Sequence, residues 1–533
     1  MKYIIMTGGV MSGLGKGIAV ASMGKILQSR GFKVTAIKID PYLNSDAGTI
    51  NPFEHGEVFV TDDGGEIDLD MGHYERFLGI SLTKMHNITT GQVYGEVIRR
   101  ERRGDYLGQT VQIIPHVTDL IKGRVRRAAE EGGAEACLVE IGGTVGDMES
   151  MPFIEAMRQL SIEEGREGVA FVHLTLVPVL DAVGEQKTKP TQHSVKQLLE
   201  AGISPDFLIC RASAPLSEGA KRKISLFCNV PENAVISDPD MENVYRLPLL
   251  FEEQGLGELL LKRLSLKGRR FDMAGWKRAV DQMDGATEAI RIAIVGKYVR
   301  FPDTYLSVNE ALKHAAASCD RRVEISWIDS EVLEGSRDGL LGLRDYDGIL
   351  IPGGFGQRGS EGKITAISYA RAHGVPFLGI CFGFQLAVVE FARGIGLKGA
   401  NSTELDPKTP HPVVCILPGQ AKTSNMGGTL RLGAHAIQVE RGTTAFRSYG
   451  RVRIEERHRH RFEVNPTYIG RLSEAGLKFS GRSADGRRME ILELPGHPFF
   501  LATQFHPEFK SRPGKPSPVF ESFIRAVIGS KAK

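Results

Sequence analysis

Leu378-Gly379-Ile380-Cys381-Phe382-Gly383-Phe384-Gln385 closes one apolar run, Val375-Pro376-Phe377-Leu378, and opens another in which Leu386, Val388, Val389 and Ala392 are spaced as on a helix. A cysteine between Gly379 and Gly383 at a strand-to-helix junction has the G-x-nucleophile-x-G form of a nucleophile elbow. The sharp turn needs neighbours without a Cβ, and it lifts the thiol to the top of a sheet. The helix N-terminus that follows adds N–H donors and a positive end, which favour a thiolate and could hold an oxyanion. On this stretch alone a packed, inert cysteine is the commoner case. The weight therefore falls on whether the chain supplies a base and an acid.

It does so downstream, and upstream it adds glycines. Upstream, Gly348-Ile349-Leu350-Ile351-Pro352-Gly353-Gly354-Phe355-Gly356 is a strand running into glycines whose N–H groups could face an oxyanion. Downstream, Gln504-Phe505-His506-Pro507-Glu508-Phe509 places a histidine just after a strand, with an acid two residues on. A thiolate needs a base, and the base needs an acid to fix its tautomer. This α/β unit opens at Ile292-Ala293-Ile294-Val295. Before it, from Leu266 to Ala289, periodicity fades, and the stretch reads as a linker.

The N-terminal half carries a second signal. The apolar run Tyr3 to Thr7 leads into Gly8-Gly9-Val10-Met11-Ser12-Gly13-Leu14-Gly15-Lys16-Gly17 and then a helical pattern at positions 19, 23, 26 and 27. Strand, glycine loop, lysine and helix form a phosphate cradle. The match to the P-loop is imperfect: Gly9 to Gly15 is one residue too long, and Gly17 stands where a Mg²⁺-binding hydroxyl is usual. A metal would need carboxylates from elsewhere. Glu66-Ile67-Asp68-Leu69-Asp70 alternates acid and apolar, as on one face of a strand. Glu140 ends an otherwise apolar strand, where an α/β sheet presents metal ligands to a phosphate. The loop Glu185 to Ser194, with Lys187 and Lys189 among hydroxyls, suits a second polyanion as readily as it suits solvent.

Composition narrows the class. At 533 residues, two or three domains are expected. A net charge of +3 gives no bulk case for nucleic acid or membrane binding. Six scattered cysteines without a C-x-x-C pair suggest neither zinc nor a disulfide framework. With no apolar run of membrane-spanning length and no signal-like leader, a cytoplasmic location is expected.

The motifs at 352–356, 379–385 and 504–509 resemble those of class I glutamine amidotransferases. Those at 8–17, 55–60, 140–147 and 187–194 resemble the synthetase domain of the CTP synthase family, and together they span nearly the whole chain. The resemblance implies an α/β fold in which a P-loop-like, parallel-sheet synthetase domain (1–265) is joined by a linker (266–290) to a glutamine amidotransferase domain (291–533). It implies ATP-dependent amination of UTP to CTP, with UTP O4 activated by phosphorylation and ammonia channelled from glutamine. Cys381 would be the nucleophile, His506 the base and Glu508 its partner. Gly13, Leu14, Gly15, Lys16, Gly17, Ile18, Lys38, Asp70 and Asp240 would bind ATP, and Asp70 and Glu140 would hold Mg²⁺.

For UTP, and for CTP as feedback inhibitor, the resemblance implies Ser12, Asp147, Met148, Glu149, Lys187, Thr188, Lys189, Pro190, Thr191, Gln192 and Lys223. Glutamine would meet Gly354, Phe382, Gly383, Phe384, Gln385, Glu404 and Arg461, and the ammonia tunnel mouth would lie at Pro52, His55 and Val58. GTP would be an allosteric activator, although the lid around Gln420 to Gly433 is short and Phe382 and Phe384 replace the family's usual Leu and Met. Homotetramers, and in some members filaments, are the family's assemblies; no nucleic-acid or membrane partner is implied. Two other readings stay open: an ATP-dependent amidotransferase with another acceptor, and a non-catalytic assembly protein. Lys187-Thr188-Lys189-Pro190 and His55-Gly56-Glu57 argue against the first, and intact Cys381, His506 and Glu508 against the second.

Overall fold

The computed structural model describes residues 1–180, 184–297, 299, 301–335, 341–417 and 429–531, apart from the side chains of Pro52, Phe53, Leu180 and Pro302. These residues form two compact units, 1–47 with 70–280 and 48–69 with 281–533.

The first unit is built on a seven-stranded sheet in the order Val235–Pro239, Phe207–Ala212, Val169–Leu176, Lys2–Gly8, Ala136–Ile141, Val34–Asp40, Asn87–Thr89, all parallel. The central strands are buried almost end to end, the pattern of a sheet covered on both faces. Ligands of such sheets gather at the carboxyl ends of the strands. The loop after Lys2–Gly8 lies there, and so does Glu140, whose register partners are Met6 and Lys38.

Three local expectations give way here. Glu66 to Asp70 is not one strand: Glu66–Ile67 is a short strand, and Asp70 begins the helix Asp70–Leu78. An acid at a helix start is favoured by the helix dipole, which overrides a two-residue alternation. The stretch read as linker contains the helix Ala274–Gly285, whose Trp276, Ala279 and Val280 are buried. Trp276 packs 5.2 Å from Phe77 and donates to Tyr245 O at 2.9 Å. Lys189 and Pro190, read as loop, form the first turn of the helix Lys189–Glu200, where proline costs no hydrogen bond.

The second unit carries a nine-stranded sheet. Arg322–Asp329, Ala289–Gly296, Gly348–Ile351, Phe377–Ile380 and Phe500–Thr503 run parallel; Met489–Glu493, Lys478–Ser483, Arg431–Val439 and Arg453–His460 continue it antiparallel. One apolar layer contains Phe377, Phe384 and Val388, and the other Leu378, Leu501 and Phe523.

The strand Arg453–His460 explains why residues 48–69 belong to this unit. Its side chains alternate between faces. Arg457 pairs with Asp62 at 2.7 Å and donates to Val60 O at 3.0 Å. Arg459 pairs with Glu66 at 2.8 Å and donates to Gly48 O at 3.1 Å. Phe59 meets Phe509 edge-on at 5.0 Å. The intervening Glu456, His458 and His460 are buried.

Candidate active site

Three neighbouring parallel strands deliver the groups of the first site. Ile351 is paired with Gly379, and Ile380 with Thr503, so the turns after these strands, holding Gly354, Cys381 and His506, converge. Cys381 N–H donates to Thr503 O at 2.7 Å, fixing the elbow to the strand that leads to His506. Cys381 itself has φ 52° and ψ −96°, a strained conformation of the kind found at functional turns. Its glycines are required by close approach. A Cβ on Gly383 would lie 2.3 Å from Ile351 O, and one on Gly379 would lie 2.9 Å from Ala502 Cβ.

His506 Nδ1 and Glu508 Oε1 are 2.7 Å apart, both residues buried. Burial opposes charge on the imidazole, but Glu508 and then the Cys381 sulfur outweigh it, and His506 is raised to about 10. The thiol lies 3.5 Å from Arg459 O and 3.8 Å from Gln504 Nε2. Beside it opens a cavity of about 690 Å³ lined by Gly354, Gln385, Glu404, Arg461, His506 and Glu508 together with Gly48 to Asn51, Glu57 and Val58. Glu404 accepts from Gly356 N–H at 2.7 Å, and burial raises its carboxyl above the usual range. Arg461 donates to Thr429 Oγ1 at 2.8 Å.

Of the residues expected to meet glutamine, Phe382 and Phe384 turn their side chains into the core. What they and Gly383 can offer is backbone. Val58 lines the cavity, whereas His55 is exposed and not part of that lining, and the Pro52 side chain lies outside the described residues. So do residues 420–428 of the expected GTP lid.

In the first unit, Lys38 donates to Glu140 at 2.8 Å and to Asp70, and Tyr74 O–H donates to Glu140. Two acids thus converge on one cation. Burial disfavours charge on both; at Asp70 the Lys38 ammonium prevails and holds the carboxyl low, while Glu140 stays above the usual range. Lys16 donates to Gly143 O at 2.9 Å, and burial, before any charge nearby, pushes its amine down. A Cβ on Gly17 would lie 2.1 Å from Asp70 Oδ1. Glycine at the position of the usual hydroxyl therefore makes room for the carboxylate. Hard oxygen donors already gathered around a cation are a chemistry that suits Mg²⁺.

Of the other residues expected to bind nucleotide, Gly13 and Gly15 hold φ of 77° and 93°, and Ser12, Asp147, Met148, Glu149 and Lys223 are exposed. Lys187 pairs with Glu185 at 2.5 Å, Gln192 Nε2 donates to Thr188 Oγ1 at 3.0 Å, and Thr191 donates to Leu176 O at 3.1 Å. Lys189 lies 5.9 Å from the Phe227 ring centroid. Asp240 is exposed and pairs with Arg211 at 2.8 Å.

Sequence reasoning missed a buried relay beneath the loop. Thr7 Oγ1 lies 2.8 Å from His173 Nδ1, and His173 Nε2 lies 2.6 Å from Ser194 Oγ. Burial first, and Lys16 second, lower His173 to about 3. A Cβ on Gly9 would fall 1.5 Å from Ser194 Oγ, so the loop rests directly on this relay. It also missed a buried cluster in the second unit. His460 Nδ1 lies 2.9 Å from Phe462 O, which only accepts, so Nε2 is left to accept from His458 Nδ1 at 3.0 Å. Glu490 pairs with Arg431 at 2.8 Å beside them. His458, His460 and Glu490 are the one group of three potential metal ligands among the described residues, but Arg431 already balances its acid.

Residues 2–266 match the family model described as the CTP synthase N-terminus, and residues 300–526 match class-I glutamine amidotransferase. Over 528 residues the chain is 60% identical to the CTP synthase of Pyrococcus furiosus, an alignment covering 99% of this chain and 98% of that one. The CTP synthase of Archaeoglobus fulgidus is 59% identical over 529 residues, again covering 99% and 98%. A thiol, imidazole and carboxylate on adjacent strand ends, an amine and two acids beside a glycine loop, and identity along the full length agree: the chain belongs to the CTP synthase family.

Proposed function

We propose that Cys381, His506 and Glu508 hydrolyse glutamine and that the ammonia is used at the Lys16 cluster, where ATP activates UTP. As a member of its family, the chain is a glutamine-hydrolysing C–N ligase that converts UTP to CTP with ATP and glutamine-derived ammonia. The observation that carries the assignment of residues is the His506–Glu508 hydrogen bond of 2.7 Å beside a strained cysteine.

In this reading the Cys381 thiolate attacks the carboxamide carbon, and the tetrahedral oxyanion is held by the N–H groups of Gly354 and Phe382. His506 delivers a proton to the departing nitrogen, ammonia leaves, and a thioester remains. Water, deprotonated by His506, then cleaves the thioester to glutamate and regenerates the thiol. Glu404 would take the glutamine ammonium and Arg461 its carboxylate. Neutral ammonia is the nucleophile required next, so its passage is channelled away from bulk water; Val58, beside the thiol cavity, would be at the entrance with Pro52 and His55.

At the second site UTP O4 attacks the γ-phosphorus of ATP, ADP leaves, and ammonia then displaces phosphate at C4 to give CTP. Lys16 and Lys38 would neutralise phosphate charge, the glycine loop would supply N–H donors, and Asp240 would contact ATP. Asp70 and Glu140 would hold Mg²⁺, which when bound supplies further charge neutralisation. Ser12, residues 147–149 and 187–192 and Lys223 would bind UTP and, as feedback inhibitor, CTP. We extend the reading to GTP activation, a homotetramer, filaments and a cytoplasmic location; no described helix is long and apolar enough to cross a membrane.

The test is CTP formation by the purified protein with UTP, ATP and Mg²⁺, supplied with either glutamine or ammonium. Cys381→Ala should abolish the first and spare the second. Loss of both in a folded variant would refute the separate-site reading.

A further inference from the structure

Lys363 is the fourth residue of the helix Ser360–His373. Its side chain is fully buried, and its Nζ has no hydrogen-bond partner among the described residues. The position is unfavourable on three counts. Burial desolvates the ammonium, the first helical turn presents the positive end of the dipole, and Lys297 and Arg358 add like charge. Burial first, and those cations next, lower the amine to about 7, against the pull of Asp329 and Glu404. Its surroundings give the position a use. Nζ lies 5.1 Å from the Phe382 ring centroid, and a Cβ on Gly354 would be 3.7 Å from it. Gly354 lines the thiol cavity and Phe382 directly follows Cys381, and they are the two residues whose N–H groups hold the oxyanion in the proposed mechanism.

We propose that Lys363 is a positioning residue of the glutamine site: its amine, set behind Gly354 and Phe382, fixes the placement of their N–H groups and adds positive potential where the oxyanion forms. The inference rests on Cys381 being the nucleophile. The neighbouring loop residues are held by direct hydrogen bonds, since Lys297 Nζ donates to Phe355 O and Glu404 accepts from Gly356 N–H. The loop 353–356 is thus bonded to an amine and to a carboxylate, with the Lys363 amine close by. A lysine kept for stability alone would not be placed where its charge is uncompensated; a lysine kept for catalysis could be.

Lys363→Met removes the charge at similar length. In the full-length protein, glutamine-dependent kcat should fall at least ~10-fold, less than the ~100- to 1,000-fold of losing a direct oxyanion donor. KM for glutamine should stay within about threefold, because uniform binding is untouched. Ammonia-dependent CTP formation should be unchanged and Tm should rise. The wild-type glutamine-dependent rate should lose activity as pH rises through the lysine's titration near 7, and the variant should lack that limb. A kcat within twofold of wild type, with the same pH profile, overturns the proposal. If Lys363→Met also loses the ammonia reaction, Lys363→Gln is read by the same criteria. If the wild type uses ammonia but not glutamine, the nucleophile assignment fails instead, which a changed Lys363 variant cannot mimic.

Discussion

His506 Nδ1 meets Glu508 Oε1 at 2.7 Å with both residues buried, which leaves Nε2 as the nitrogen available to the thiol. Glu508→Gln keeps the shape and removes the charge. By analogy with other orienting carboxylates, glutamine-dependent kcat should drop by ~100- to 10,000-fold, while the ammonia reaction persists. The pair also has a pH signature. His506 is raised from 6.5 to about 10, so its protonation stabilises the fold fully below 6.5, and that contribution is lost as pH rises through about 10. Urea unfolding should therefore show a stability gap between wild type and Glu508→Gln that is wide near neutral pH and closes at alkaline pH. A gap independent of pH would mean the pair is not charged in the native state.

Lys16 donates to Gly143 O and sits beside the acids that hold Lys38. Lys16→Ala should abolish CTP formation from glutamine and from ammonia alike, with a loss of ~1,000-fold or more as for other phosphate-clamping charges. Product formation by chromatography checks it, and robust turnover with either nitrogen source would remove Lys16 from the phosphate site.

Gly17 is tight against Asp70, where an added Cβ would lie 2.1 Å from Oδ1. Gly17→Ala should displace Asp70 from Lys38 and raise the Mg²⁺ concentration needed for half-maximal rate. An unchanged Mg²⁺ dependence would show that Asp70 is not a ligand.

Arg431 balances Glu490, which is fully buried. Arg431→Met should cost about 3–5 kcal/mol by leaving an unpaired buried acid, and Arg431→Met with Glu490→Gln should recover part of it. The deficit should shrink as pH falls, because a protonated Glu490 needs no cation. Chemical denaturation across pH measures this; equal losses in the single and double variants would show that the pair does not act as a unit.

What was legible in the sequence was local. The Cys381 elbow, the glycine loop at Lys16 and the histidine after Phe500–Thr503 each announce their turns through glycines and apolar runs within about ten residues. What was hidden depends on distant partners. The assignment of 48–69 to the second unit rests on ion pairs spanning 395 and 393 residues, Arg457 to Asp62 and Arg459 to Glu66. The Thr7–His173–Ser194 relay joins two strands and a helix that no short window contains. Lys363 reads in sequence as an ordinary helical lysine, and its burial is set by how its helix packs. The helix Ala274–Gly285 did leave a signal, Trp276, Ala279 and Val280 at helical spacing, masked by the charged run before it.

The two-stretch make-up of the second unit bears on how such a unit can be exchanged between chains. A fragment begun at residue 281 would keep Cys381, His506 and Glu508 yet lose Gly48 to Asn51, Glu57 and Val58 from the cavity lining, the Asp62 that pairs with Arg457 and the Phe59 that covers Phe509. Inheritance of the glutamine-hydrolysing half is therefore not a matter of one cut and one splice. A chimera would have to carry a short piece of the other parent's N-terminal half along with the C-terminal one, so recombination at a single point should be penalised even where both parents share the same active-site residues.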